Sequence, residues 1–308
     1  MKALIVGTGA VGGFYGALLA RAGWEVAVVS RSDHDTVAAN GIHIRSTLGE
    51  WTFRPAAVHR RADEVETPPD YVILCTKVLP DIDRPALIGG AVGPDTAIVL
   101  IQNGVEIEAE VANAFPDNEL ISGLAFVCVS RTGPGQVWHQ AYGNLMLGDF
   151  PSGVSPRVET LADAFNRSGI RAKVVADVVA ARWRKCVWNA PFNPLSVLSG
   201  GLYTADILES QEGFVRTLMA EICAIAAACG HPLPDDVIDR NIDDTYKMPP
   251  YKTSMLLDFE AGRPMETEAI LGNAVRAARR EGVAAPHLES VYALMKLREL
   301  QLERYGRP

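Results

Sequence analysis

The stretch that most constrains this chain lies at its start. The apolar run "KALIV" (Lys2–Val6) passes directly into "GTGAVG", and helical spacing follows from about Ala10 to Ala22. A strand that turns on glycines into a helix is the first unit of an open parallel sheet. Gly7 permits the tight turn, Gly9 lets backbone approach a pyrophosphate, and Gly12 lets helix pack close to strand. The N–H groups at the helix N-terminus are then free to take an anion. The six-residue pattern alone is a weak signal; its place between strand and helix gives it weight.

Apolar runs then recur at "EVAVV" (Glu25–Val29), "YVILCT" (Tyr71–Thr76), "AIVLI" (Ala97–Ile101) and "LISGLAFV" (Leu120–Val127), with helical segments between them. Strands buried on both faces read in this way, and alternating strand and helix implies a parallel sheet between helical layers. "GIHIRS" with "WTFRP" reads as an antiparallel pair. "GQVWHQAYGNLMLGD" (Gly135–Asp149) reads as a hairpin turning around Ala141–Asn144. A helix from about Ser155 to Ser168 and the strand "RAKVV" close this half. From about Val178 the pattern is helical, with a stop at Gly230 before Pro232. The expected fold is α/β: an N-terminal dinucleotide-binding domain over residues 1–177 and a smaller all-α domain over residues 178–308.

The end of the second strand bears on which dinucleotide fits. An acid there would serve the ribose hydroxyls of NAD. This strand ends instead in Ser30 and Arg31. A guanidinium suits a 2′-phosphate, so NADP(H) is favoured, although Asp33 and Asp35 lie close by. Lys77, after "VILCT", is a second cation at the carboxyl edge of the sheet. "IQNG" ends another strand there and places Asn103 at that edge, either as a ligand contact or as a simple turn.

In "WRKCVWNAPFNPLS", Lys185, Asn189 and Asn193 recur every fourth residue. On a helix they span an arc of about 80°, one polar stripe. Pro191 and Pro194 remove donors and crowd preceding carbonyls, so the helix is expected to kink or end here, with Asn193 at the turn. Read locally, the stripe is either a solvent edge or the lining of a site. Ser254 and Glu266, twelve apart, flank "EAGRP", and Glu266 opens a helix whose dipole suits a carboxylate.

The 308 residues carry a net charge of -8, so the basic footprint of a nucleic-acid or anionic-membrane binder is missing. Five scattered cysteines without C-x-x-C suit a reducing, cytoplasmic setting. The six histidines show no ligand spacing, so no metal is expected. The N-terminus has the lysine and apolar run of a secretory leader, but it is dense in glycine and leads into another strand. No apolar run approaches the ~18 residues that span a membrane. The stripes of the helical half suit a homodimer face or that domain's own core equally well.

Together, "GTGAVG", Arg31, Lys77, "QNG", the K-x3-N-x3-N-P pattern at 185–194, "SMLLD", "EAGRP" and Glu266 resemble the ketopantoate reductase (2-dehydropantoate 2-reductase) family over nearly the whole chain. The resemblance implies a Rossmann domain and a helical domain with the site in the cleft between them. It implies NADPH-dependent reduction of a small 2-keto acid, ketopantoate, in pantothenate and coenzyme A synthesis. Lys185 resembles the general acid, and Glu266 the carboxylate lying against both ligands. Asn189, Asn193 and Ser254, with Tyr251 alongside, resemble substrate contacts. Asn103 resembles the residue bridging cofactor and substrate. Gly7, Thr8, Gly9, Ala10, Val11, Gly12, Arg31, Lys77 and the backbone at Val129 resemble the NADP site. The chain departs from the family pattern around these residues. Met265 stands where Thr is common, "ETEAILG" replaces E-I-D-Y-x-N-G, and "SVLSGGLY" lacks a further Asn. The reaction type is therefore better determined than the substrate. Burial would lower the Lys185 pKa and Glu266 would raise it, so the net direction is open at this level.

Overall fold

Strand β1 (Lys2–Val6) is buried on both faces and pairs in parallel with β2 (Glu25–Val29) on one side and β6 (Tyr71–Leu74) on the other. The structure, a computed structural model, describes residues 1–306. The mixed sheet has ten strands in the order β4-β3-β9-β8-β7-β6-β1-β2-β5, with β10 (Ala172–Val174) beside β9. Its remaining strands are β3 (Ile42–Ser46), β4 (Gly49–Phe53), β5 (Val58–His59), β7 (Ala97–Ile101), β8 (Leu120–Gly133) and β9 (Gln136–Asp149). All four residues of β6 and all five of β7 are buried, as the continuous apolar runs require. Helices α1 (Ala10–Arg21), α2 (His34–Asn40), α3 (Arg84–Ile88), α4 (Ala109–Ala114) and α5 (Pro156–Arg167) connect the strands. Strand order reverses at β1 and β6, and the ends of these two strands form the switch point where open sheets bind ligands.

The expected antiparallel pair is β3 and β4. The expected hairpin around Ala141–Asn144 is corrected. Gln136–Asp149 is one strand, and the reversal lies between Gly133 and Gln136, where Gly135 has φ +62°. The turn-like signal at 141–144 is a bulge, with Tyr142 at φ +65° and Gly143 at φ +108°. A bulge and a turn both call for left-handed backbone, and only strand pairing tells them apart.

The chain divides into two compact units. One comprises Met1–Lys77, Asp81–Gln102 and Ile107–Val178; the other comprises Val78–Pro80, Asn103–Glu106 and Val179–Pro308. Two short excursions from the N-terminal half thus belong with the helical unit. That unit contains α6 (Val178–Leu198), α7 (Thr204–Ala228), α8 (Val237–Lys247), α9 (Ser254–Glu260), α10 (Asn273–Arg280) and α11 (Pro286–Tyr305). Helix α7 bends at Gln211 and stops before Gly230, which has φ +86°.

The expectation that α6 ends at its prolines, with Asn193 at a turn, is also corrected. The helix continues through Pro191 and Pro194 to Leu198. Each internal proline costs about 3 kcal/mol in an isolated helix. Here Val187, Ala190, Phe192 and Val197 are fully buried in the helical core, and that packing offsets the cost. Among the described residues, no helix is long and apolar enough to cross a membrane.

Candidate active site

The glycine turn follows β1 and opens α1. Gly7 has φ +95°, and a Cβ there would lie 2.8 Å from the Thr76 methyl. At Gly12 a Cβ would lie 2.1 Å from the Gly7 carbonyl oxygen. Both glycines are therefore required by packing within the unit. Gly9 differs, because a Cβ there would meet nothing within 4 Å. The space beside it is open, as backbone approach of a phosphate needs. Gly9 caps α1 without a side-chain bond and the first turn carries no acid, so the N–H groups of Ala10, Val11 and Gly12 lie in a field that favours an anion. The Thr8 hydroxyl donates to the Val29 carbonyl (3.5 Å) and ties the turn to β2.

At the end of β2, Ser30 is buried and its hydroxyl has no partner. Arg31 follows and is exposed. Lys77 is half-buried just beyond β6. Val129 lies on β8 opposite His139. An open phosphate cradle, an unpaired hydroxyl where a ribose would lie and a cation beside it fit a dinucleotide.

The remaining candidates fall in the helical unit. Because α6 is continuous, Lys185, Asn189 and Asn193 do form one stripe. Lys185 Nζ donates to Asn103 Oδ1 at 2.7 Å, and Asn103 Nδ2 donates to Glu266 Oε2 at 3.3 Å. Glu266 Oε1 accepts from the Val78 N–H at 3.1 Å. Ammonium at one end and carboxylate at the other fix which way the Asn103 amide points. Glu266 is buried and precedes a helical turn, its carbonyl accepting from the Ile270 N–H (3.1 Å). That turn, Glu268–Gly272, is π-helical before it becomes α10.

Burial lowers the Lys185 pKa, and the Arg182 guanidinium lowers it further. Glu266 pulls it back up, and the result is about 8. The direction left open by the sequence is downward.

Asn193 is 1% exposed, and neither its amide oxygen nor its amide nitrogen has a partner. Leaving one such group unsatisfied costs about 1–3 kcal/mol. A buried amide open at both ends is suited to a ligand that supplies donor and acceptor. One turn on, Ser196 Oγ donates to the Asn193 carbonyl (2.8 Å) and lies 2.7 Å from Thr253 Oγ1. Thr253 caps α9 by accepting from the Leu256 N–H (3.1 Å), which places exposed Ser254 in the first turn. Tyr251 packs against Trp188, next to buried Asn189, with ring centroids 6.1 Å apart.

Three groups escaped the sequence reading. Arg182 is buried, donates to the Gly104 carbonyl (3.2 Å) and presses on Lys185 electrostatically. Its position three residues before Lys185 on one helix was the available signal. The Val78 N–H that holds Glu266 left no trace in sequence, because backbone donors carry no residue type. Thr204 is buried with an unpartnered hydroxyl and donates its N–H to the Tyr251 carbonyl (3.2 Å).

Comparison with known proteins adds to this geometry. Residues 3–152 match the family model described as "Ketopantoate reductase PanE/ApbA", and residues 177–299 match its C-terminal counterpart. A 2-dehydropantoate 2-reductase from Nostoc sp. is 34% identical, with 96% of this chain and 94% of that relative covered. The crystal structure of 2-dehydropantoate 2-reductase from Methylococcus capsulatus is 66% identical with a TM-score of 0.96, covering 99% of this chain and 98% of the other. A ternary structure of D-mandelate dehydrogenase with NADH and anilino(oxo)acetate shares the fold, at 24% identity and a TM-score of 0.88 over 98% of this chain and all of the other.

Proposed function

The chain belongs to the ketopantoate reductase family, and from that premise we propose that it reduces 2-dehydropantoate to pantoate with NADPH, supplying pantothenate and coenzyme A synthesis. The observation that carries this reading is the chain of contacts from Lys185 through Asn103 to Glu266, with Lys185 drawn down to about 8. The sheet unit is the dinucleotide-binding domain and the helical unit the substrate domain. The residues from Gly7 to Gly12 would hold the pyrophosphate, and Arg31 with Lys77 the 2′-phosphate. Val129 offers backbone to the cofactor.

NADPH, when bound, supplies the hydride that reduces the ketone carbon. Lys185 does the rest of the bond-making. Its ammonium stabilises the negative charge that develops on the ketone oxygen and delivers the proton that makes it a hydroxyl. An acid whose pKa lies near the working pH transfers its proton most readily, which gives the lowered value its use. Glu266 opposes that fall, keeping Lys185 protonated near neutrality, and holds Asn103 in place. Asn193 presents both ends of its amide to the substrate. Asn189, Ser254 and Tyr251 fix the substrate's orientation, which removes entropy from the barrier.

Lys185 must carry its proton to act. The protonated fraction is complete well below its pKa and falls as pH rises through it. We expect kcat/KM to be flat toward neutral pH and to decline about tenfold per pH unit above about 8, in a profile measured at saturating NADPH. A profile still rising past pH 9 would remove Lys185 as the acid.

A second reading keeps the chemistry and changes the substrate to another small 2-keto acid. Buried Met265 beside Glu266 and the π-helical "EAILG" after it are where this chain departs from the family pattern. NADPH oxidation with 2-dehydropantoate, set against 2-keto acids that lack its hydroxyl or its geminal methyls, decides between them. We expect kcat/KM to favour 2-dehydropantoate by at least about tenfold, since a methylene in an apolar pocket is worth 10- to 200-fold. A better analogue would transfer the assignment to that acid.

A further inference from the structure

The turn from β2 into α2, Ser30 to Asp35, carries one arginine and two aspartates. An acid beside a 2′-phosphate should repel it, yet both acids here are matched by arginines from distant segments. Asp33 is 5% exposed and 98 residues from Arg131, whose Nε donates to its Oδ2 at 2.8 Å and whose Nη2 donates to Oδ1. The Gly135 N–H (3.1 Å) and Ser32 Oγ (3.0 Å) also donate to Asp33. Burial by itself would raise the Asp33 carboxyl, but the hydrogen bonds from Arg131, Gly135 and Ser32 outweigh it and hold the group below its ordinary range. Asp33 is therefore a full negative charge two residues from Arg31. Asp35 accepts from Arg60 Nη2 (2.6 Å) and lies 2.9 Å from His34 Nδ1. The exposed cation left in the turn is Arg31.

We propose that Arg131 is a positioning residue that sets cofactor choice. By holding Asp33 at the β8–β9 hairpin, it neutralises the acid and turns it away from the pocket edge, so that Arg31 meets a 2′-phosphate unopposed. Without Arg131, the Asp33 carboxylate becomes an acceptor for a ribose 2′-hydroxyl and a repellent for a 2′-phosphate, and preference moves toward NADH. The inference rests on the NADPH reading given above.

The test is KM for NADPH and for NADH in the wild type, Arg131→Met, Arg131→Lys, Asp33→Asn and the double variant Asp33→Asn/Arg131→Met. A wild type that prefers NADPH upholds the cofactor reading; one that prefers NADH removes both that reading and this inference. Given NADPH preference, Arg131→Met raises KM for NADPH about tenfold and leaves that for NADH equal or lower, an effect that shrinks as salt is raised. Arg131→Lys keeps part of the preference, since it retains charge and loses the two-pronged fit. Adding Asp33→Asn to Arg131→Met restores the NADPH value, and Asp33→Asn alone keeps NADPH preference or increases it. Equal losses for both cofactors in Arg131→Met, or no rescue by Asp33→Asn, would show that Arg131 only braces the hairpin and overturn the proposal.

Discussion

Lys185→Ala lowers kcat by about 10²- to 10⁴-fold, the range a positioned general acid supplies, and leaves the Kd for NADPH within about threefold. The two halves of this result separate because the residues proposed to take the pyrophosphate and 2′-phosphate, Gly7 to Gly12, Arg31 and Lys77, lie on the sheet unit while Lys185 lies on α6. Single-turnover reduction measures the first half and equilibrium fluorescence of bound NADPH the second. The variant also loses the limb of the pH profile near 8, since the group that titrates there is gone. Turnover within a factor of three of wild type would sink the assignment. Folding is not expected to suffer, because Lys185 ordinarily pays a desolvation penalty that alanine does not.

Arg31→Ala raises the KM for NADPH by about ten- to a hundredfold, the worth of a charge-assisted hydrogen bond to phosphate. The KM for NADH changes by less than about threefold, because a 2′-hydroxyl gains little from a guanidinium. The experiment is a ratio, so loss of stability or of active enzyme cancels. Proportionate losses for the two cofactors would refute a role at the 2′-phosphate. Arg31 and Arg131 are predicted to act differently. Removing Arg31 deletes an attraction, while removing Arg131 releases a repulsion that Asp33→Asn can cure.

What was legible in the sequence was what local rules govern. Gly7 and Gly12 have fixed conformational and packing requirements, so the turn could be read before any contact was known. The runs "YVIL" and "AIVLI" could be read as buried strands because burial on both faces leaves no polar position. The 185–189–193 stripe needed only the helical period. What was not legible depended on partners far along the chain. Local propensity argues for a break at Pro191 and Pro194, and the packing that overrules it comes from residues more than 20 positions away, such as Leu218 and Ile222. The bulge at Tyr142–Gly143 imitates a turn until β8 is seen beside it. The sign of the Lys185 shift turned on burial, with Arg182 behind it, outweighing Glu266, a matter of geometry that composition does not contain. That Asp33 is held by Arg131, 98 residues away, could not be read from its neighbours in sequence.

One guanidinium grips both feet of the excursion that carries Asn103. Buried Arg84 donates to Gln102 Oε1 (3.2 Å) at the start and to the Ile107 carbonyl (2.6 Å) at the end, with Glu110 behind it (2.6 Å). The four residues between are all engaged. Asn103 joins Lys185 to Glu266, and the Gly104 carbonyl takes Arg182. The Val105 N–H donates to the Ala269 carbonyl (3.0 Å), and its carbonyl accepts from Asn273 Nδ2 (2.7 Å). Glu106, held at φ +52°, accepts from Arg280 Nη1 (3.0 Å). Surface connections usually drift in length among related chains because nothing counts their residues. This one is counted at every position, so a single inserted residue would displace either Asn103 from its lysine or Glu106 from its arginine. Length at 103–106 therefore holds the Lys185–Asn103–Glu266 contacts in place as firmly as any side chain does.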